Sequence, residues 1–149
     1  MSRQNNGPGI LDQAGLYCGA AVLADVSGRA VIEVEDIRHL DLHASPRLLL
    51  RTGGWADTTQ FPPRIPVIAP DVPDYLGSRG VVLLGLDVPS VDSIESKTLP
   101  NHHALGRNGI AILESLALQG VPEGVYELIA LPLPFTGADG SPVRAILRG

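Results

Sequence analysis

The chain has 149 residues, of which 44% are hydrophobic, 18% charged and only 4% aromatic, and its net charge is -5. This length and hydrophobic share suffice for one folded domain with a sizeable core, which excludes an intrinsically disordered chain. The negative charge and the lack of a basic cluster argue against nucleic acid or an anionic membrane as partner, because both bind surfaces rich in Lys and Arg. We therefore expect a small-molecule ligand.

Cysteine content and hydropathy bear on the compartment. Cys18 is the only cysteine, so an intramolecular disulfide is excluded, and we expect a small, buried side chain there. The sequence has neither a basic, apolar leader nor a span of about 20 apolar residues, so neither export nor membrane insertion is indicated. We expect a cytoplasmic protein. Residues 1–9 are polar and contain glycine, which predicts a disordered start.

Short apolar runs separated by Gly and Pro predict a strand-rich α/β fold in one domain. Residues 16–25 and 30–34 are predicted to be extended. Capping and dipole signals predict short helices at 35–40 and 71–79, and a third that Asn101 caps and Gly109 ends. One barrel-like or strongly curved sheet is expected from five strands, namely residues 47–52, 81–86, 110–113, 126–131 and 143–147.

Residues 80–114 are the stretch most suited to chemistry. A buried strand passes into a polar loop, then into a helix with His102 and His103, and a returning strand ends at Glu114. Imidazole and carboxylate are common metal ligands, and these two would meet only if helix and strand pack side by side. The alternatives are a capping or surface histidine and a solvated strand end.

A second histidine group lies in the sequence HLDLH, which contains His39, Asp41 and His43. Alternate spacing would place all three on one side of an extended segment. Pro46 follows closely, and no metal-binding motif surrounds them. A solvated connector between helix and strand is the preferred interpretation.

Four sequences resemble the C-terminal part of the bacterial kynurenine formamidase family, which are metal-dependent, cyclase-like hydrolases: GLDVPSVD, SKTLPNHHAL, GIAILESLAL and YELIALPLPFTGADGSPVRAILR. The resemblance covers about residues 9–148. It implies a cyclase-like (swivelling β/β/α) barrel, a homodimer, and two divalent metals, usually Zn²⁺. It also implies hydrolysis of N-formylkynurenine to kynurenine and formate in tryptophan degradation.

Site residues follow from the same resemblance. His102 and Glu114 occupy the positions of metal ligands in the family pattern, and His103 is the adjacent member of the histidine pair. The segment RTGGWADTTQFPP corresponds to a region near the active-site face, so Trp55 and Phe61 could wall an aromatic substrate pocket together with His103. Trp55 could equally cover an edge of the core.

The chain departs from the family pattern at its start. Family members carry His-x-Gly-Thr-His-x-Asp-x-Pro-x-His, which supplies most metal ligands and the histidine proposed as general acid/base, and this motif is absent here. The barrel is therefore expected to be incomplete, and no catalytic residue is assigned. Weak zinc binding and little turnover are expected, and the alternative function is a catalytically inactive remnant, or a partial gene model, that acts only as a dimerising fragment.

Overall fold

A computed structural model describes residues 14–135, 137–138 and 140–149, so the disorder predicted for residues 1–9 lies outside the described residues. The helices are short: α1 (Ala14–Tyr17), α2 (Val34–Ile37), α3 (Val72–Ser78) and α4 (Pro100–Arg107). The strands are β1 (Cys18–Asp25), β2 (Val31–Ile32), β3 (Arg47–Arg51), β4 (Val67–Ile68), β5 (Leu83–Leu86), β6 (Ala111–Leu113), β7 (Gly124–Ile129) and β8 (Ile146–Arg148).

Six strands form one mixed sheet in the order β6-β5-β3-β1-β7-β8. The neighbours among β6, β5, β3 and β1 pair in parallel, whereas β7 and β8 are added antiparallel. Parallel strands need long crossover connections, and α2, α3 and α4 lie in those connections. The predicted α/β, strand-rich fold class with short flanking helices is confirmed. The predicted buried strand at 81–86 is also confirmed, because β5 is wholly buried between β3 and β6.

Apolar side chains cover both faces of the parallel part of the sheet. On one face, helices α2, α3 and α4 contribute Ile37, Leu76 and Leu105 to a large buried cluster. On the other face, the chain after β6 contributes Leu116 and Leu118 to a second cluster. Strands covered on both sides are nearly continuous apolar runs, which explains why β3 and β5 could be predicted from sequence.

Gly85 shows how closely this second face is packed. A Cβ atom on Gly85 would lie 2.6 Å from a methyl carbon of Leu49 and 2.7 Å from one of Leu116. Any larger residue would force the side chains of Leu49 and Leu116 to move. Backbone hydrogen bonds hold the same segment, from Ser115 N to Val88 O (2.9 Å) and from Leu116 N to Leu86 O (3.0 Å). The position of Glu114 is thereby tied to the end of β5.

Several predicted elements have other bounds. The segment predicted as extended at 30–34 shrinks to β2, which pairs with β4 in a separate two-stranded sheet. Helix α2 begins at Val34 and ends at Ile37, before the predicted end at residue 40. Of the closing strand predicted at 143–147, only Ile146 and Leu147 join the sheet, in β8, and Val143 makes an isolated bridge to Pro132. Among the described residues, no helix has the length and apolar character needed to cross a membrane.

Candidate functional site

Polar side chains gather where the parallel strands end. Asp25 is the last residue of β1, Thr52 follows β3, Asp87 follows β5, and Glu114 follows β6. Open parallel sheets usually bind ligands at the carboxyl ends of their strands, because the connecting loops leave a crevice there. This edge is therefore the first place to look for a site.

Helix α4 brings His102 to this edge. The residue before the helix, Leu99, has a left-handed backbone (φ 46°), a conformation that a leucine rarely adopts, and Pro100 follows it directly. The predicted cap by Asn101 is wrong, because Asn101 lies inside the helix and its buried side chain donates to Ile68 O and Val91 O, both at 3.0 Å. The N–H groups at the start of α4 are capped instead by a carboxylate from the loop after β5.

That carboxylate is Asp92, which is only 2% exposed. Its Oδ1 accepts from Asn101 N at 2.9 Å, and its Oδ2 accepts from His102 N at 3.1 Å. The same Oδ2 lies 2.7 Å from Nδ1 of the His102 ring. Burial alone would raise the pKa of Asp92, but the hydrogen bonds from the ring and from the two backbone N–H groups outweigh it and lower that pKa below its ordinary value.

The other ring nitrogen of His102 faces Glu114. Nε2 lies 3.2 Å from Glu114 Oε1, and the two side chains are 31% and 33% exposed. Burial raises the pKa of the Glu114 carboxyl above its ordinary value, although the nearby His102 ring acts in the opposite direction. The two residues that the sequence singled out thus lie side by side, at the ends of α4 and β6.

Ser115 follows Glu114 with a left-handed backbone (φ 61°), which is unusual for a residue other than glycine. Such conformations cost of order 1–3 kcal/mol and persist where the surrounding structure imposes them. Here Ser115 N donates a hydrogen bond to Val88 O, which holds this residue against the end of β5. The backbone is therefore strained at Leu99, before His102, and at Ser115, after Glu114.

A cavity of about 900 Å³ opens beside the pair, and His102, Glu114 and Ser115 line it. Its apolar walls include Ile112, Leu116 and Val143. A volume near the upper end of the usual range for small-molecule sites, with apolar walls and a few polar groups at one point, is typical of a ligand pocket.

Trp55 lies in the wall of a neighbouring cavity of about 660 Å³, which shares Ser115, Leu116 and Ala117 with the first. Its indole Nε1 donates to Gln60 O at 2.8 Å, and its ring meets that of Phe61 edge to face with centroids 6.4 Å apart. Phe61 is 66% exposed and, like the exposed His103, lines neither cavity among the described residues. A substrate contact by these three side chains stays a prediction.

The remaining polar groups at this edge bind one another. Asp87 accepts from Thr52 N at 2.9 Å, from Thr52 Oγ1 at 2.5 Å and from Gly53 N at 2.9 Å. Asp25 pairs with Arg51 at 2.6 Å, and Arg51 also donates to Val121 O. These contacts tie the ends of β1, β3 and β5 together.

Sequence reasoning missed Asp92, which it treated only as a loop residue. An aspartate directly before a helix is a capping signal, but Asp92 lies eight residues before Pro100, so the sequence did not reveal its role. The HLDLH histidines, His39 and His43, are exposed in turns between α2 and β3. Across the described part of the chain, no three His, Cys, Asp or Glu side chains are grouped so that they could hold a metal ion.

Comparisons with known proteins agree with this architecture. A model of the Cyclase family matches residues 8–93, which is more than half of the chain but ends before His102. A kynurenine formamidase of Geobacillus thermodenitrificans is 48% identical over 145 residues, which cover 97% of this chain and 69% of the relative.

Solved structures extend the likeness to the fold. A potential metal-dependent hydrolase with cyclase activity superposes with a TM-score of 0.76 at 28% identity, over 90% of this chain and 66% of the other. For a predicted metal-dependent hydrolase from Bacillus stearothermophilus the TM-score is 0.74 at 29% identity, over 89% and 64%. This chain therefore spans about two thirds of these proteins' length, and it belongs to the Cyclase family.

Proposed function

We propose that this chain serves as a metal-dependent kynurenine formamidase, which hydrolyses N-formylkynurenine to kynurenine and formate. The observation that carries the proposal is the 3.2 Å approach of His102 Nε2 and Glu114 Oε1 in the wall of a large cavity. The identity with the Geobacillus formamidase supports the substrate, and the hydrolase neighbours support the dependence on a metal.

The donor atoms fit a divalent cation such as Zn²⁺. A neutral imidazole nitrogen and a carboxylate oxygen both present lone pairs, so their approach needs a proton or a cation between them. Zinc binds such atoms at about 2.0–2.2 Å, so two ligands of a tetrahedral site lie about 3.4 Å apart, close to the observed 3.2 Å. His102 and Glu114 would hold the ion. The family's usual number of two metals per subunit stays a prediction.

The residues of this chain have distinct tasks in such a reaction. A bound cation would polarise the formyl oxygen and make a bound water more acidic. Glu114 and His102 define where the reacting group must lie, because both face the cavity. The apolar walls, including Ile112 and Val143, suit the aryl part of the substrate. Trp55, in the adjoining cavity, is a further candidate for contact with that aryl ring.

The test is a calorimetric zinc titration with a formamidase assay on the 149-residue chain and on His102→Ala. Since structural zinc is held by four protein ligands and catalytic zinc by three, we expect weak binding from these two. His102→Ala should weaken binding at least ~10-fold, since losing even an outer-shell partner costs that much. His43→Ala, an exposed histidine in a turn, is the control. Equal zinc affinity and turnover in all three proteins would overturn the proposal.

We also infer that the protein self-associates as a homodimer, through the part of the sheet that the helices leave uncovered. Val125 of β7 lies opposite Val22 of β1, so it is on the same face of the sheet as the helices. The helices do not reach this part of that face, because Val125 is 65% exposed and Ile146 of β8 is 50% exposed. Exposed apolar residues favour association, and so does an edge strand such as β8, which has unpaired backbone groups. Sedimentation velocity should show a dimer that Val125→Lys weakens, and a monomer at high concentration would refute this. A cytoplasmic location stays a prediction from the sequence.

A further inference from the structure

Asp92 is the most deeply buried charged side chain beside the pair, at 2% exposure. Burying a carboxylate costs several kcal/mol unless hydrogen bonds replace its water. Three donors from α4 replace it here: Asn101 N, His102 N and the His102 ring. Asp92 is itself held in place, because its own N–H donates to Ser90 Oγ at 3.1 Å and the neighbouring Val91 O accepts from the Asn101 side chain.

The contact with the ring determines where its proton lies. An ionised carboxylate can only accept hydrogen bonds, so the Nδ1 atom 2.7 Å from Oδ2 must carry hydrogen. In the neutral ring, Nε2 then has no hydrogen and presents its lone pair toward Glu114. This is the tautomer that a ligand through Nε2 requires.

The same contact fixes the orientation of the ring. Oδ2 accepts from both the backbone N–H and the ring of His102, so the side chain is tied to its own backbone through one oxygen. A rotation that moved Nε2 away from Glu114 would break the ring's hydrogen bond while Asp92 stayed buried. Leaving a buried charged acceptor without its donor costs more than losing an exposed contact.

We propose that Asp92 is a positioning residue, which holds His102 in the Nδ1–H tautomer and aims Nε2 at the Glu114 carboxylate. This rests on the proposed function for its purpose, since the aimed nitrogen is the one that would bind the cation. A merely structural alternative is that Asp92 only caps α4 through Asn101 N and His102 N. The two roles make different predictions for the ring.

The experiment records ¹⁵N NMR signals of the His102 ring in the zinc-free chain, above the pH range in which imidazole titrates. The wild-type protein should show the Nδ1–H tautomer. Asp92→Ala should give a mixture of tautomers, together with a zinc affinity lowered about 10- to 100-fold. The control Asn101→Ala loses the helix anchor to Ile68 and Val91 but keeps the ring contact, so its ring signals should match the wild type.

Asp92→Asn covers the case in which the alanine variant fails to fold. Both oxygens of Asp92 accept hydrogen bonds, whereas an asparagine has only one acceptor oxygen, so we expect a loss of zinc affinity smaller than that of Asp92→Ala. The control Asp41→Asn changes an exposed aspartate and should leave the zinc affinity unchanged. Unchanged ring signals and affinity in the folded Asp92 variant would overturn the proposal. A tautomer change in Asp92 variants of a chain that binds no zinc would uphold the positioning role and reject the metal function instead.

Discussion

Two groups of acidic side chains lie at the same edge of the sheet, and they differ in what their oxygens contact. In the first group, Asp25 and Asp87 accept from Arg51, Thr52 and Gly53, so each carboxylate faces donors. In the second group, the Glu114 carboxylate faces Nε2 of the His102 ring, whose other nitrogen, Nδ1, already contacts Asp92. Acidic residues at a strand end therefore do not define a site by themselves; two facing acceptor atoms do.

The two groups also differ in how the backbone around them is built. Thr52 and Gly53 offer their N–H groups to Asp87, so this group joins neighbouring strand ends and stabilises the sheet. Around the second group, Leu99 and Ser115 hold left-handed conformations that cost stability. Backbone strain next to His102 and Glu114 is what we expect of a functional pair. The unstrained backbone around Asp87 is what we expect of a structural carboxylate.

The largest effect should come from a matched pair of variants, Glu114→Ala and Asp87→Ala. Glu114→Ala should weaken zinc binding about 10-fold or more, because it removes one of the two ligand atoms that we propose. Asp87→Ala should leave zinc binding unchanged but lower the free energy of unfolding by about 1–3 kcal/mol, because the N–H groups of Thr52 and Gly53 lose their acceptor.

Calorimetric zinc titration and urea unfolding of both variants measure this pair. The comparison would break if Asp87→Ala reduced zinc affinity as much as Glu114→Ala. It would also break if Glu114→Ala were the more destabilised of the two, since Glu114 would then be structural.

A smaller effect concerns acid stability and sharpens the structural side. Hydrogen bonds from Ser27 and Arg51 lower the pKa of Asp25 well below its ordinary range. A lowered folded-state pKa stabilises the protein above the unfolded-state pKa of about 3.9, and this contribution is lost as the pH falls toward the folded-state pKa. Stability of the wild type should therefore fall more steeply below about pH 4 than that of Asp25→Asn. The urea midpoints of both proteins are measured below about pH 4, and an equal fall with pH in the two proteins would refute this prediction.

The sequence by itself determined the strand content of the core. Residues 48–50 and 83–86 are apolar on both faces because helices and the chain after β6 cover both sides of the sheet, and this leaves a continuous apolar pattern. The pairing of His102 with Glu114 followed from the resemblance to a family, since a separation of twelve residues carries no geometry of its own.

The tertiary structure alone decided the surroundings of that pair. Asp92 meets His102 because the loop after β5 returns to the start of α4, and Leu99 turns the chain through a conformation that its side chain disfavours. Local propensity could not predict such a turn, and it assigned the cap to Asn101 instead. Contacts imposed by packing against local preference are the ones that a sequence pattern does not contain, and here they are the contacts that aim the histidine.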